Sequence, residues 1–237
     1  MNGTDADAEV NLRGPRGADN LGRTHEKKFS MRVKKLRRRG FRAAANACGV
    51  LGCRAMRVVE KRQLLSAEEI GRTLQRLAHE IVEKSGGTKD LALIGVRRRG
   101  VPLSQRIAAI IRTAAGVSVP VGTLDITLYR DDLSTVAQQP VVHSNEIDFP
   151  VDDRDIVLVD DVLYTGRTVR AAMNGLFDLG RPRRIRLCVL VDRGHRELPV
   201  EASFVGRLVE TSDTEIVEVR LREIDGEERV MLVDRVT

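Results

Sequence analysis

Three short apolar runs limit what this chain can fold into: Leu91-Ala92-Leu93-Ile94-Gly95-Val96, Ile156-Val157-Leu158-Val159, and residues 185–191. None alternates with polar residues, so each reads as a strand covered on both faces. Helical patterns lie between and around them. Ser66 before Ala67-Glu68-Glu69 forms a capping box, and Ile70, Leu74, Leu77, Ala78 and Ile81 recur every three or four residues. That spacing predicts a helix over 67–84, ended by Ser85-Gly86-Gly87. A second helix is predicted at roughly 102–115, with Pro102 tolerated in its first turn. A third runs from Thr168, as cap, to about Leu179. Buried strands separated by helices predict an α/β layer fold around a parallel sheet. Further extended pieces are expected at 117–121 and 123–129, and a long polar loop over 130–150. Edge or appended strands are expected from Phe204 onward, where Glu215-Ile216-Val217-Glu218-Val219-Arg220-Leu221 alternates.

Charge is divided unevenly along the chain. Residues 1–63 carry 16 Lys/Arg against 6 Asp/Glu, and their net +10 leaves residues 64–237 at −4 within a whole-chain charge of +6. The overall basicity therefore belongs to the leader and says little about the remainder. The first thirty residues lack apolar periodicity and read as disordered, followed by the basic cluster Lys34, Lys35, Arg37, Arg38 and Arg39. Two domains are expected: a basic extension over 1–63 and a folded domain over 64–237. The extension suits a basic arm for RNA phosphates; it equally suits a dispensable tail or a start placed too early, with Met56 as the true one. No apolar run reaches 18 residues, which excludes a helical membrane span, and Cys48, Cys53 and Cys188 cannot build a disulfide framework. A cytoplasmic protein is expected, with no protein-built metal site.

In parallel sheets ligands sit beyond the carboxyl ends of the strands, which singles out residues 95–100, 160–168 and 192–196. Asp160 and Asp161 end a buried run, and Val162-Leu163-Tyr164-Thr165-Gly166-Arg167-Thr168 opens a helix. Helix-start N–H groups and the Thr165 and Thr168 hydroxyls suit a phosphate, and paired carboxylates suit a sugar diol. A phosphorylated sugar satisfies both, although an ordinary turn has the same composition. Neither a Walker loop nor a dinucleotide fingerprint is present. Gly95-Val96-Arg97-Arg98-Arg99-Gly100 sets three guanidinium groups between glycines, suited to a pyrophosphate or simply to a basic surface. Tyr129-Arg130-Asp131-Asp132 opens the long loop, where Arg130 could close over a phosphorylated substrate. His195, in Asp192-Arg193-Gly194-His195-Arg196, has no partner in the sequence that would make it a general base. Cys188 reads as core.

The segment Val157-Leu158-Val159-Asp160-Asp161-Val162-Leu163-Tyr164-Thr165-Gly166-Arg167-Thr168 resembles the phosphoribosyl-pyrophosphate (PRPP) signature of the type I phosphoribosyltransferases. Two further blocks, residues 124–134 and 189–199, resemble one group within them: the bifunctional pyrimidine operon attenuators with uracil phosphoribosyltransferase activity. The resemblance runs from about Leu64 to Leu232. It implies the type I fold with a flexible hood loop and a small appended β region. It also implies that Asp160 and Asp161 hold the ribose hydroxyls, with Arg130 in the hood as a third catalytic residue. Tyr164, Thr165, Gly166, Arg167 and Thr168 would hold the 5′-phosphate, and Val96, Arg97, Arg98, Arg99 and Gly100 the pyrophosphate. Val191, Asp192, Arg193, Gly194 and His195 would form the uracil side. The implied reaction is uracil plus PRPP giving UMP and pyrophosphate, with Mg²⁺.

The same resemblance implies a homo-oligomer that binds pyrimidine-operon leader mRNA when UMP or UTP is abundant, favouring termination or blocking translation. Arg72, Arg76, His79, Arg196 and Arg207 would form the RNA face, or else a plain solvated surface. The chain departs from its relatives at Gln75 and at Glu201, where a small hydroxyl residue and a basic residue are usual, and at Arg98, where threonine is common. Other functions remain open: a regulator that keeps the pocket only to sense UMP or UTP, and a transferase for another base.

Overall fold

The computed structural model describes residues 57–129 and 145–236. Residues 1–56, Arg130 and the rest of 130–144 lie outside the described residues, and with them Met56, the basic cluster and the expected hood. The elements are β1 (Arg57–Ser66), α1 (Ala67–Lys84), β2 (Leu91–Val96), α2 (Gly100–Ala115), β3 (Val121–Leu124), β4 (Asp155–Leu163) and α3 (Arg167–Leu179). They continue as β5 (Arg184–Asp192), β6 (Phe204–Leu208), β7 (Glu215–Arg220), the short α4 (Arg222–Asp225) and β8 (Arg229–Val236).

Five strands form a sheet in the order β3-β2-β4-β5-β6, parallel throughout, as the uninterrupted apolar runs require. Alternate residues of each strand go to opposite faces. Leu91, Leu93, Val157, Val159, Cys188 and Leu190 join α1 and α2 in one core. Ala92, Ile94, Ile156, Leu158, Leu187 and Val189 join α3 in the other. Cys188 is fully buried, and burial pushes its thiol up to about 12, which fits a core role. The capping box at the start of α1 forms, with Glu69 N donating to Ser66 Oγ at 3.3 Å and Ser66 N to Glu69 Oε2 at 2.8 Å.

Several boundaries differ from the sequence reading, each for a physical reason. The folded part starts before the 63/64 boundary, because β1 pairs antiparallel with β8 from Arg57 onward. Those two strands and β7 make a second, three-stranded sheet in the order β1-β8-β7. β3 begins at Val121 rather than 117. The extended piece expected over 123–129 breaks at Asp125, whose Oδ1 accepts from Thr127 N at 2.9 Å and Thr127 Oγ1 at 2.6 Å. This side-chain turn bends the chain into a 3₁₀ turn over Thr127–Tyr129. α2 starts at Gly100, still with Pro102 in its first turn. Thr168 is not the cap of α3; that place is taken by Gly166, at φ 91°, and no side-chain cap bond is made. β4 continues past Val159 to Leu163, so Asp160 and Asp161 lie within the strand, held there by pairing with β5 as far as Leu163 and Asp192.

Candidate active site

The carboxyl ends of β2, β4 and β5 bring the three loops together at one edge of the parallel sheet. Gly100 closes the first loop against β4. A Cβ at Gly100 would stand 2.2 Å from the Val159 carbonyl oxygen, and one at Gly95 would stand 2.6 Å from the Gly100 oxygen. Both glycines are therefore demanded by backbone packed on backbone. That packing sets the arginines between them beside the end of β4.

The three arginines separate. Arg97 and Arg98 line a cavity of about 880 Å³ together with Asp125, Thr127 and Glu146. Arg97 donates its backbone N–H to Leu124 O at 3.0 Å and pairs loosely with Glu146 at 3.4 Å. Its Nε is buried without a hydrogen-bond partner, a guanidinium edge with donor capacity in reserve. Arg99 does not line that cavity; it forks onto Asp225, with Nη2 to Oδ1 at 2.9 Å and Nε to Oδ2 at 3.2 Å.

At the end of β4, Asp160 is buried and its Oδ1 accepts the Asp161 N–H at 2.9 Å, while Asp161 Oδ1 accepts the Val162 N–H at 3.0 Å. Burial pushes the Asp161 carboxyl up, opposed by its bond to Asp160 and by the charge of Arg99. Two adjacent carboxylates suit the two hydroxyls of a diol.

The turn that follows is built from main chain. Thr165 O accepts from Glu197 N at 3.0 Å and Leu198 N at 3.1 Å, and Gly166 packs against Leu198 and Val200. The left-handed Gly166 then lets α3 begin with its first N–H groups pointing out of the helix start, where no intrahelical acceptor exists. Arg167 is not aimed at that position: its guanidinium pairs with Glu197 at 2.6 Å.

The third loop is stapled by its own side chains. Arg196 donates to Tyr164 O at 2.8 Å, Gly194 O at 2.9 Å and Val200 O at 3.1 Å, and pairs with Asp192. It therefore braces the turn at 164–168. Arg193 turns its guanidinium into residues 211–215, donating to Glu215 O at 2.6 Å and Thr211 Oγ1 at 3.2 Å, and lies 4.2 Å from the Tyr164 ring. Both ring nitrogens of His195 are engaged, Nε2 with Thr211 O at 2.6 Å and Nδ1 with Asp213 at 3.2 Å. That arrangement holds a loop and does not suit a free base. Of the loop, Val191 is buried at the end of β5, and Gly194 N donates to Asp192 Oδ1.

The basic residues expected to form one face do not all meet. Arg72, Arg76 and His79 are exposed on α1, where Arg76 reaches the Val205 and Gly206 carbonyls at 2.9 and 2.7 Å. Arg207 donates to Leu64 O at 2.6 Å, and its charge and that of Arg72 both act on Glu69. Arg72, Arg76 and Arg207 lie toward the seam between α1 and β6, His79 lines the groove between α1 and α2, and Arg196 sits in the loop after β5. Glu68 and Glu80 pair with Arg72 and Arg76 and offset part of the seam's charge.

Residues 61–223 match the family model described as the phosphoribosyl transferase domain. The chain is 59% identical over 175 residues to the "Bifunctional protein PyrR" of Pelotomaculum thermopropionicum, covering 74% of this chain and 97% of that protein. It is 58% identical to that of Thermus thermophilus over the same shares. This chain belongs to the PyrR family. The PyrR protein of Deinococcus radiodurans is 55% identical over 174 residues, covering 73% of this chain and 95% of its own length. Among solved structures, a hypoxanthine phosphoribosyltransferase from Trypanosoma cruzi matches with a TM-score of 0.58 at 20% identity, over 74% of this chain and 96% of that one. One from Staphylococcus aureus matches at 0.55 and 19%, over 73% and 92%. At that identity the likeness concerns the fold, the type I phosphoribosyltransferase fold, and leaves the base open. The strand-end arrangement around Asp160 and Asp161 lies inside the region that matches the family model.

Sequence reasoning missed Asp225, Glu223, Glu146 and Asn145. Glu223 and Glu146 line the cavity, and Asn145 Oδ1 accepts the Asp125 N–H at 2.9 Å. Their acidic or amide character was visible, but their partners lie 20 to 126 positions away along the chain.

Proposed function

We propose that this chain transfers the 5-phosphoribosyl group of PRPP to uracil, giving UMP and pyrophosphate. Its second role is to bind pyrimidine-operon leader mRNA in response to uridine nucleotides. One observation carries this reading: identity above half to PyrR proteins over nearly their whole length, with the carboxylate pair and turn at 160–168 inside the match. Assembly as a homodimer or a higher oligomer follows from the same family.

The chemistry is governed by charge. Breaking the bond at the anomeric carbon leaves positive charge on the ribose and negative charge on the departing pyrophosphate. Asp160 and Asp161 would hold the 2′- and 3′-hydroxyls and favour the positive ring. The turn at 164–168 would hold the 5′-phosphate through main-chain N–H groups and the Thr165 and Thr168 hydroxyls. Arg97 and Arg98 would receive the growing negative charge, in a site whose donors are already in place. Each 1.4 kcal/mol gained in the transition state is worth about tenfold in rate. With the Arg193 guanidinium committed to residues 211–215, the uracil side would be offered by the main chain of 191–195.

Among the described residues no group of three or more His, Cys, Asp or Glu side chains gathers to hold an ion. Two carboxylates instead suit a magnesium that brings diphosphate and diol oxygens with it, and Asp160 and Asp161 would be its protein partners. When bound, the ion supplies Lewis-acid stabilisation of the leaving pyrophosphate.

The test is pyrophosphate release from Mg²⁺–PRPP with uracil, hypoxanthine and orotate offered separately. Turnover with uracil alone is expected; preference for either other base contradicts the assignment, and no turnover with any leaves a nucleotide sensor. For RNA, leader transcript is titrated with and without UMP, using full-length protein and protein starting at Met56. Binding strengthened by UMP and kept after truncation is expected. Loss on truncation would assign RNA to the basic extension.

A further inference from the structure

The turn joining β7 to β8 is far from the central strands in sequence but reaches the diphosphate loop with Asp225 and α2 with Glu223 and Glu228. Asp225 holds Arg99 through both of its oxygens, and its Oδ2 also accepts the Leu221 N–H at 2.9 Å. Two turns further along α2, Arg106 pairs with Glu223 at 2.7 Å and with Glu228. Glu223 and Ile224 form one wall of the cavity that Arg97 and Arg98 line. The smaller sheet therefore grips the amino-terminal half of α2 at two points, Arg99 and Arg106.

Arg99 stands between two acidic groups. It is fork-bonded to Asp225, and the next residue, Gly100, packs so closely on the end of β4 that a Cβ there would stand 3.4 Å from the Asp160 Cα, which sets Arg99 beside the carboxylate pair. A bidentate arginine–carboxylate pair fixes orientation as well as distance. Without its partner, a guanidinium on a flexible stem beside a desolvated carboxylate would turn to that carboxylate. It would then occupy the lone pairs assigned to the ribose diol.

We propose that Asp225 is a positioning residue for PRPP binding, holding Arg99 off Asp161 so that the Asp161 carboxyl stays available to the ribose diol. The inference rests on the PRPP reading of the 160–168 turn. Asp225 touches no substrate; it acts through Arg99. The smaller sheet is on this account a working part of the site, reaching the diol carboxylates through one ion pair.

The experiment compares wild type, Asp225→Asn, Arg99→Gln and the double variant of the full chain. Mg²⁺–PRPP binding is followed by calorimetry, and KM for PRPP and for uracil by turnover. Asp225→Asn is expected to weaken PRPP binding and raise its KM about tenfold while leaving the uracil KM unchanged. Adding Asp225→Asn to Arg99→Gln is expected to have no further effect, because the competing guanidinium is gone. Glu228→Gln, which loosens the Arg106 contact only, is expected to lower thermal stability while keeping the PRPP KM. Unchanged PRPP affinity in Asp225→Asn, full additivity with Arg99→Gln, or an equal rise in Glu228→Gln overturns the proposal. Wild-type protein that does not bind PRPP overturns the underlying reading as well, whereas normal wild-type binding with an unaffected Asp225→Asn overturns this inference alone.

Discussion

The two loops that flank Asp160 and Asp161 at the strand ends are held in place by different means. The turn at 164–168 is held from the loop after the neighbouring strand of the same sheet: a left-handed glycine, main-chain bonds from residues 197 and 198, and Arg196, 32 positions from Tyr164, brace it. The loop at 95–100 is held at longer range, with Gly100 packed on the backbone of β4 and Arg99 held by Asp225, 126 positions away. A device confined to the parallel sheet tolerates change in the smaller one. A long-range one makes the site depend on how the two sheets sit together.

The sharpest way to break this contrast is Gly100→Ala. A methyl group 2.2 Å from the Val159 oxygen has no flexible neighbour to displace. Loss of PRPP binding by at least about a hundredfold is expected, with a stability cost of about 1–3 kcal/mol, read by calorimetry and urea unfolding. A variant that binds PRPP normally would show the packing to be dispensable.

Asp161→Asn should be next in effect and should separate function from stability. Turnover is expected to fall about a hundredfold, the equivalent of about 3 kcal/mol in the transition state. The melting temperature should hold or rise. Burial raises this carboxyl's pKa, so the folded state binds its proton more readily than the unfolded state. Stability is therefore lost as pH climbs above the ordinary carboxylate range, and the amide removes that loss. A clear drop in melting temperature would contradict this.

Gly166→Ala tests the turn at 164–168. At φ 91°, with Leu198 and Val200 side chains 3.4 Å from the added methyl, it should cost about 1 kcal/mol or slightly more. It should weaken PRPP several-fold, much less than Gly100→Ala. The reverse order of effects would undo the comparison.

That contrast also explains what the sequence made legible. Local periodicity and the apolar runs were enough for α1 and the three central strands, because each is specified by residues within about ten positions, whereas the turn at 164–168 is braced from Arg196, 32 positions from Tyr164. The early start of the fold at Arg57 was not legible, since β1 is fixed by pairing with β8 at the other end of the chain. Nor was the division among Arg97, Arg98 and Arg99: three identical side chains in a row carry no sign of which one meets Asp225. Thr168 looked like a helix cap because threonine suits that place, yet the left-handed Gly166 took it.

The smallest expected effect lies in acid. Glu215, held by Lys61 at 2.7 Å and by the Ser212 N–H, has its carboxyl drawn down from 4.5 to about 2. Its contribution is complete above pH 4.5 and disappears as pH falls through 2. Glu215→Gln should therefore flatten that part of the stability profile by lowering stability slightly at neutral pH while leaving the value below pH 2 nearly unchanged. An unaltered acid limb would place the stabilising contact elsewhere.

Hydrogen–deuterium exchange of the full chain with and without Mg²⁺–PRPP tests the central claim most directly. New protection is expected at the backbone amides of 95–101 and 160–168, with none on α1. Protection absent from both loops, or found only along the seam of α1 and β6, would contradict the assignment of this strand-end site to PRPP.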